Sequence, residues 1–206
     1  MANPLYGQNN ADNALSKVSF VNNRVDLDAS NTGPLSAGAG ITGGTDTVYK
    51  SWQNSQNGII TTYIYLDMDG LIGAGAEKDV IGKVGTASCH LGRIGDVSVC
   101  GTLFAGRMTC IETIAAGETD IDLYSSNVST GTENVAYDHA DMGTETALLI
   151  GTAVWHGVGH ATNNHVVQGF SGLPNANDYL YMVKGGANST SEYTAGKFLI
   201  ELFGTK

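Results

Sequence analysis

The sequence predicts an all-β protein, an antiparallel β-sandwich of jelly-roll type with an extended N-terminal arm. Three observations lead there. Short apolar runs succeed one another from Val18 to Phe203, and none keeps a 3.6-residue period for three helical turns. Glycine supplies 28 of the 206 residues, about twice average usage, and falls between the runs. The same gaps are filled by Asn, Ser and Thr, the punctuation of sandwiches rather than of α/β folds.

Residues 1–20 read as the arm and 21–206 as the β-sandwich body. The arm is dominated by Asn3, Gln8, Asn9, Asn10, Asp12 and Asn13, with Leu5, Tyr6 and Leu15 as isolated apolar points. Isolated apolar side chains on a polar arm suit partner pockets, so these three are the candidate partner-binding residues. Asn10 is placed to cap one or two helical turns, too few to persist alone.

The elements follow in order. Val18–Val21 and the alternating Val25–Ser30 are the first strands, followed by a Gly, Ala, Ser and Thr loop from Asn31 to Thr47. Tyr49–Trp52 precedes a turn at Gln56-Asn57-Gly58, where Asn-Gly favours a tight hairpin. Ile59–Asp69 is the clearest strand: Ile60, Thr62, Ile64, Leu66 and Met68 take one face, Tyr63, Tyr65, Asp67 and Asp69 the other. Further strands are expected at Asp79–Val84, Asp96–Phe104, Arg107–Thr113, Thr119–Tyr124, Ala147–Trp155, Val166–Phe170, Tyr179–Val183 and Lys197–Phe203. Gly185-Gly186 and Gly196 mark the turns of a last hairpin. No fixed-period repeat suggests a propeller or solenoid.

Composition narrows the function. Twenty acidic against ten basic residues give a formal charge of −10, which disfavours a grip on nucleic acid, since that affinity comes from Lys and Arg on phosphates. An acidic exterior keeps copies apart and suits a basic partner. No apolar stretch approaches the ~20 residues of a membrane span, and the N-terminus lacks the basic and apolar regions of a signal peptide. Cys89, Cys100 and Cys110 have no metal spacing and read as reduced thilos of a cytoplasm-folded protein.

Candidate chemistry is thin. Tyr65-Leu-Asp67-Met-Asp69-Gly70 resembles the nucleophile motif of haloacid-dehalogenase-type phosphatases, but that chemistry needs an α/β frame, and the residues read better as a strand running into a turn. Asp67, Asp69, Glu77 and Asp79 lack the alternating pattern of a calcium loop. His156, His160 and His165 lie in a Gly-bearing stretch without the helix that would gather i and i+4 imidazoles on zinc. Gly73-Ala-Gly75 lacks a dinucleotide fingerprint's spacing, and Asn127-Val-Ser129 and Asn188-Ser-Thr190 read as chance matches to glycosylation acceptors. Trp52, Tyr63, Tyr65 and Trp155 suit either a sugar-binding face or cross-strand packing. The expectation is a non-enzymatic protein with no cofactor and no metal.

Met1-Ala-Asn-Pro-Leu-Tyr-Gly-Gln-Asn, Val25-Asp-Leu-Asp-Ala-Ser-Asn, Tyr49-Lys-Ser-Trp-Gln-Asn, Thr62–Leu71 and Ser191–Gly204 carry a family resemblance. The chain resembles capsid decoration (cement) and head structural proteins of tailed, marine bacteriophages. The resemblance implies a virion component made in the host cytoplasm and mounted on the capsid exterior. Its implied partners are the major capsid protein and itself, as a homotrimer, with neither nucleic acid nor membrane bound. The alternative is a tail, baseplate or receptor-binding β-module that recognises host glycans.

Overall fold

A computed structural model describes residues 34–205 apart from 74, 134–141, 152–153, 158–165 and 188–190. All of these belong to the unit Thr32–Lys206. The expected arm with Leu5, Tyr6 and Leu15, and the strands expected at Val18–Val21 and Val25–Ser30, lie outside the described residues.

The described chain is mostly antiparallel strand, and helix is confined to two four-residue turns, α1 (Ala39–Thr42) and α2 (Val97–Cys100). Strand β1 (Val48–Gln56) turns into β2 (Ile59–Asp67) through Asn57 and Gly58, at φ 53° and 78°. Both residues are left-handed, as a two-residue primed turn requires, and the hairpin keeps register from Gln56↔Ile59 to Val48↔Asp67. Then come β3 (His90–Arg93), β4 (Thr102–Ala115), β5 (Ile121–Ser126), β6 (Glu145–Leu149), β7 (Val167–Gly169), β8 (Tyr179–Lys184) and β9 (Ala195–Thr205).

These form two sheets, ordered β1-β2-β9-β4-β7 and β3-β8-β5-β6. The pairing is nested: β2 with β9, β3 with β8, β4 with β7 and β5 with β6, all antiparallel. From β2 to β9 the chain is therefore one long hairpin folded across two sheets.

Both sheets feed one core. Ile64, Leu66, Met108, Phe198, Ile200 and Leu202 from the first meet Leu123, Leu180 and Met182 from the second. Trp155, fully buried, ties them together: its Nε1–H donates to the Ile121 carbonyl at 2.9 Å, and its ring meets Phe198 edge-on at 5.7 Å. The alternation read for Ile59–Asp69 holds, since Ile60, Thr62, Ile64, Leu66 and Met68 are all buried.

The sheets differ on their far sides. Every residue of β5 is buried, as are all but the first of β8. One covering segment is tied down by Tyr181, whose hydroxyl donates to Val128 O at 2.6 Å and accepts from Gly131 N at 3.3 Å. Strands β2 and β9 instead keep the alternation of a sheet with one face open to solvent.

Four expectations need correction. Asp96–Phe104 is not one strand: Asp96 Oδ1 accepts from Ser98 N at 2.9 Å and caps α2, which ends at Gly101 with φ 70°, and β4 begins only at Thr102. The cap outweighs the strand preference of Val97 and Val99. Asp79–Val84 contributes only single bridges, Val80↔Val183 and Ile72↔Gly82. The strand expected at Ala147–Trp155 ends at Leu149, where Asp122 Oδ1 takes the Gly151 N–H at 2.6 Å and removes it from the ladder. The last two strands make no hairpin, because β8 and β9 lie in different sheets and Gly196 falls inside β9.

Candidate functional site: the open face of the five-stranded sheet

Cross-strand register assembles this face from residues far apart in sequence. One row holds Asp67, Lys197 and Glu112; the next Lys50, Tyr65, Leu199, Thr109 and Val167; the third Trp52, Tyr63, Glu201 and Arg107. Apart from Lys50 at its β1 end, an uncharged row of Tyr65, Leu199, Thr109 and Val167 thus lies between two ion-paired ones. Trp52 and Tyr63, directly opposite, stack with centroids 5.1 Å apart and planes 7° from parallel, an arrangement of the kind worth about 0.5–1.5 kcal/mol beyond area burial.

The carboxylates of the face are each held by a cation. Arg107 holds Glu201 through two guanidinium nitrogens, one of them Nη2 at 2.9 Å from Oε1, and its guanidinium carbon sits 6.0 Å from the Phe203 ring centre. The hydrogen bond to Glu201 raises the Arg107 pKa further. Lys197 Nζ bridges Glu112 at 2.5 Å and Asp67 at 3.5 Å, and the bond to Glu112 raises its pKa first of all. Burial, then the nearby Asp67, lifts the Tyr65 phenol. With Lys50, three cations face three anions, so this face is neutral on a chain of net charge −10.

Beside it, at the tip of the β1–β2 hairpin, Asn54, Gln56, Asn57, Ile59 and Thr61 line a shallow depression of about 280 Å³. Three of these five side chains end in amides.

The structure brings Trp52, Tyr63 and Tyr65 together and sends Trp155 into the core. Asp67 is engaged by Lys197 and also accepts from Asp69 N at 3.4 Å, ahead of a turn at Gly70 with φ 81°. The parallel frame that phosphatase chemistry needs is absent from both sheets, whose named strands all pair antiparallel. Asp79 accepts the Ala76 N–H at 2.6 Å, closing a turn. Among the described residues no three His, Cys, Asp or Glu converge to hold a metal ion. His156 is half-buried beside Trp155, and its predicted companions His160 and His165 lie outside the described residues, as does the acceptor Asn188-Ser-Thr190. Asn127 accepts from Thr144 N at 3.0 Å. All three cysteines are buried thiols pushed up by burial, Cys89 and Cys100 to about 11 and Cys110 to about 12, which suppresses the reactive thiolate.

Sequence reading missed the two ion-paired clusters. The alternation Lys197, Leu199, Glu201, Phe203 against Phe198, Ile200, Leu202 was the available signal for a mixed outer face on β9. Which carboxylates would meet those cations depends on register, and on β4 that register is shifted by bulges.

No known protein family matches the chain, and neither a curated protein nor a solved structure matches it.

Proposed function

We propose that the chain is a non-enzymatic virion structural protein, a capsid decoration protein that binds the outer surface of a major capsid lattice and reinforces the head. The body is read as a jelly-roll sandwich. What supports this is the nested pairing of β2 to β9 across two sheets, the wiring expected when one long hairpin is rolled into two Greek keys. Jelly rolls serve in viral capsids and in lectins alike.

The observation that carries the role is the open, neutral, aromatic face on a strongly acidic body. Such a face adheres by apolar contact, while the acidic remainder steers the protein to a basic surface. On this reading the protein is a homotrimer on the capsid exterior, and Leu5, Tyr6 and Leu15 of the arm at 1–20 fill pockets on the capsid protein. Antibody against the chain should label phage heads uniformly in electron micrographs; label confined to the tail refutes the role. Deleting residues 2–17 should leave a folded body that no longer incorporates into heads.

The amide-lined depression beside Trp52 favours a second reading, a receptor-binding module for host glycans. Amides and aromatic edges are the groups that hold sugar hydroxyls and ring faces. Binding on a glycan array that is lost in Asn54→Ala and Trp52→Ala would replace the first reading with this one.

A further inference from the structure

We infer that the open face of the five-stranded sheet is the surface on which a second copy of this chain docks. The inference rests on the reading above for its homo-oligomeric setting and deepens it by naming the surface.

Charge is the first argument. Two copies at −10 each repel at most approaches. Here Lys50, Arg107 and Lys197 balance Asp67, Glu112 and Glu201, and both carboxylate clusters are already held by cations of their own copy. Burying this face therefore leaves no carboxylate without a cation, the costly outcome of dehydrating ions, and Lys50, on the edge strand β1, can keep its ammonium in water at the rim. A basic partner gains nothing here that it would not gain better elsewhere on the acidic body.

Shape and composition are the second argument. Tyr65, Leu199, Thr109 and Val167 form a row between the ion-paired rows, and Val48, Ile59 and Ile111 add exposed apolar surface to this sheet. Four long strands about 4.8 Å apart and nine residues at about 3.3 Å give roughly 600 Å² in projection. Side-chain relief brings that near the ~800 Å² per partner of a standard-size interface. Among the described residues the other sheet offers no comparable face, since its β5 is buried throughout.

The test is the mass of the intact chain by sedimentation velocity between about 1 and 100 µM, a range that brackets micromolar affinity. Leu199→Lys and Thr109→Lys each place a new charge in the middle of the row between the ion pairs; Val84→Lys changes an exposed valine outside the sheet. Wild type and Val84→Lys should assemble alike, and the two face variants should assemble at least ~10-fold more weakly. Trp155 is fully buried, so acrylamide quenching reports Trp52, and it should fall as wild type assembles. A wild type that stays monomeric overturns the inference. So does unchanged assembly of a face variant that is folded by circular dichroism, or assembly that leaves Trp52 quenching unaltered. A monomer that still decorates heads defeats only the self-docking; a stable oligomer that never joins heads defeats only the virion role.

Discussion

Substituting Asp122 should expose an acid sensitivity that the wild-type protein conceals. Asp122 lies on the fully buried β5, where burial raises its pKa from 3.8 to about 6 despite the hydrogen bond from Gly151, with Asp120 and Glu77 adding to the rise. His90, on β3 against the Tyr179 ring at 4.7 Å, is moved the other way by burial, from 6.5 to about 4. Between pH 6 and 4 folding takes up a proton at Asp122, so stability rises as pH falls through that window. From 6.5 down to 4 the unfolded chain protonates His90 while the folded one does not, so that group loses stability as pH falls. The two slopes oppose, each at most about 1.4 kcal/mol per pH unit.

In Asp122→Asn the acceptor for Gly151 N is kept and the titration is removed, which leaves the His90 slope uncompensated. Two pH units give a ceiling of about 2.7 kcal/mol, and solvent screening of incompletely buried groups reduces it to on the order of 1 kcal/mol. For a chain of this length that is a relative loss of about 2–4 °C in Tm between pH 6.5 and 4.5. Differential scanning fluorimetry of both proteins across that range reads it directly. His90→Gln should show the mirror image, gaining on wild type as pH falls. A Tm difference between Asp122→Asn and wild type that stays constant from pH 4.5 to 7 refutes the reasoning.

Other perturbations probe the fold and the face. Trp155→Ala removes the side chain that bridges both sheets and should cost about 3–5 kcal/mol by urea unfolding; a loss under 1 kcal/mol would mean that the bridge is dispensable. Gly95→Ala would place a Cβ 2.2 Å from the Asn175 carbonyl oxygen, whereas at Gly58, with φ 78°, a Cβ meets nothing within 4 Å. The first should therefore cost more than about 2 kcal/mol and the second only the left-handed penalty of about 1–2, an order that paired denaturant melts can check. Arg107→Ala should cost about 1–3 kcal/mol by leaving Glu201, whose side chain is 8% exposed, without its cation. Equal stability of Arg107→Ala and wild type would show that water serves Glu201 as well as arginine does.

Much of this architecture was legible because local rules agree. The period-two pattern of Ile59–Asp69 and the Asn57-Gly58 turn fix a hairpin and its buried face without tertiary information. Where a local cap competes with propensity, as Asp96 does over Val97 and Val99, residue type alone misleads. His90–Arg93 is too short, with Gly92 inside it, to announce itself as a strand. The face depends on long-range register: Arg107 and Glu201 are 94 residues apart, and only the pairing of β4 with β9 places them together.

The last described strand, β9, lies between β2 and β4 rather than at an edge. A growing polypeptide can therefore close its innermost hairpin, β5 with β6, early, but a prefix stopping short of Ala195 leaves β2 and β4 facing a gap. Sequence separation from Ile59 to Thr205 makes the final closure entropically slow. Until it happens, two hydrophobic strand borders stand unpaired, and the nascent molecule is most prone then to swap that strand with a neighbour or to aggregate.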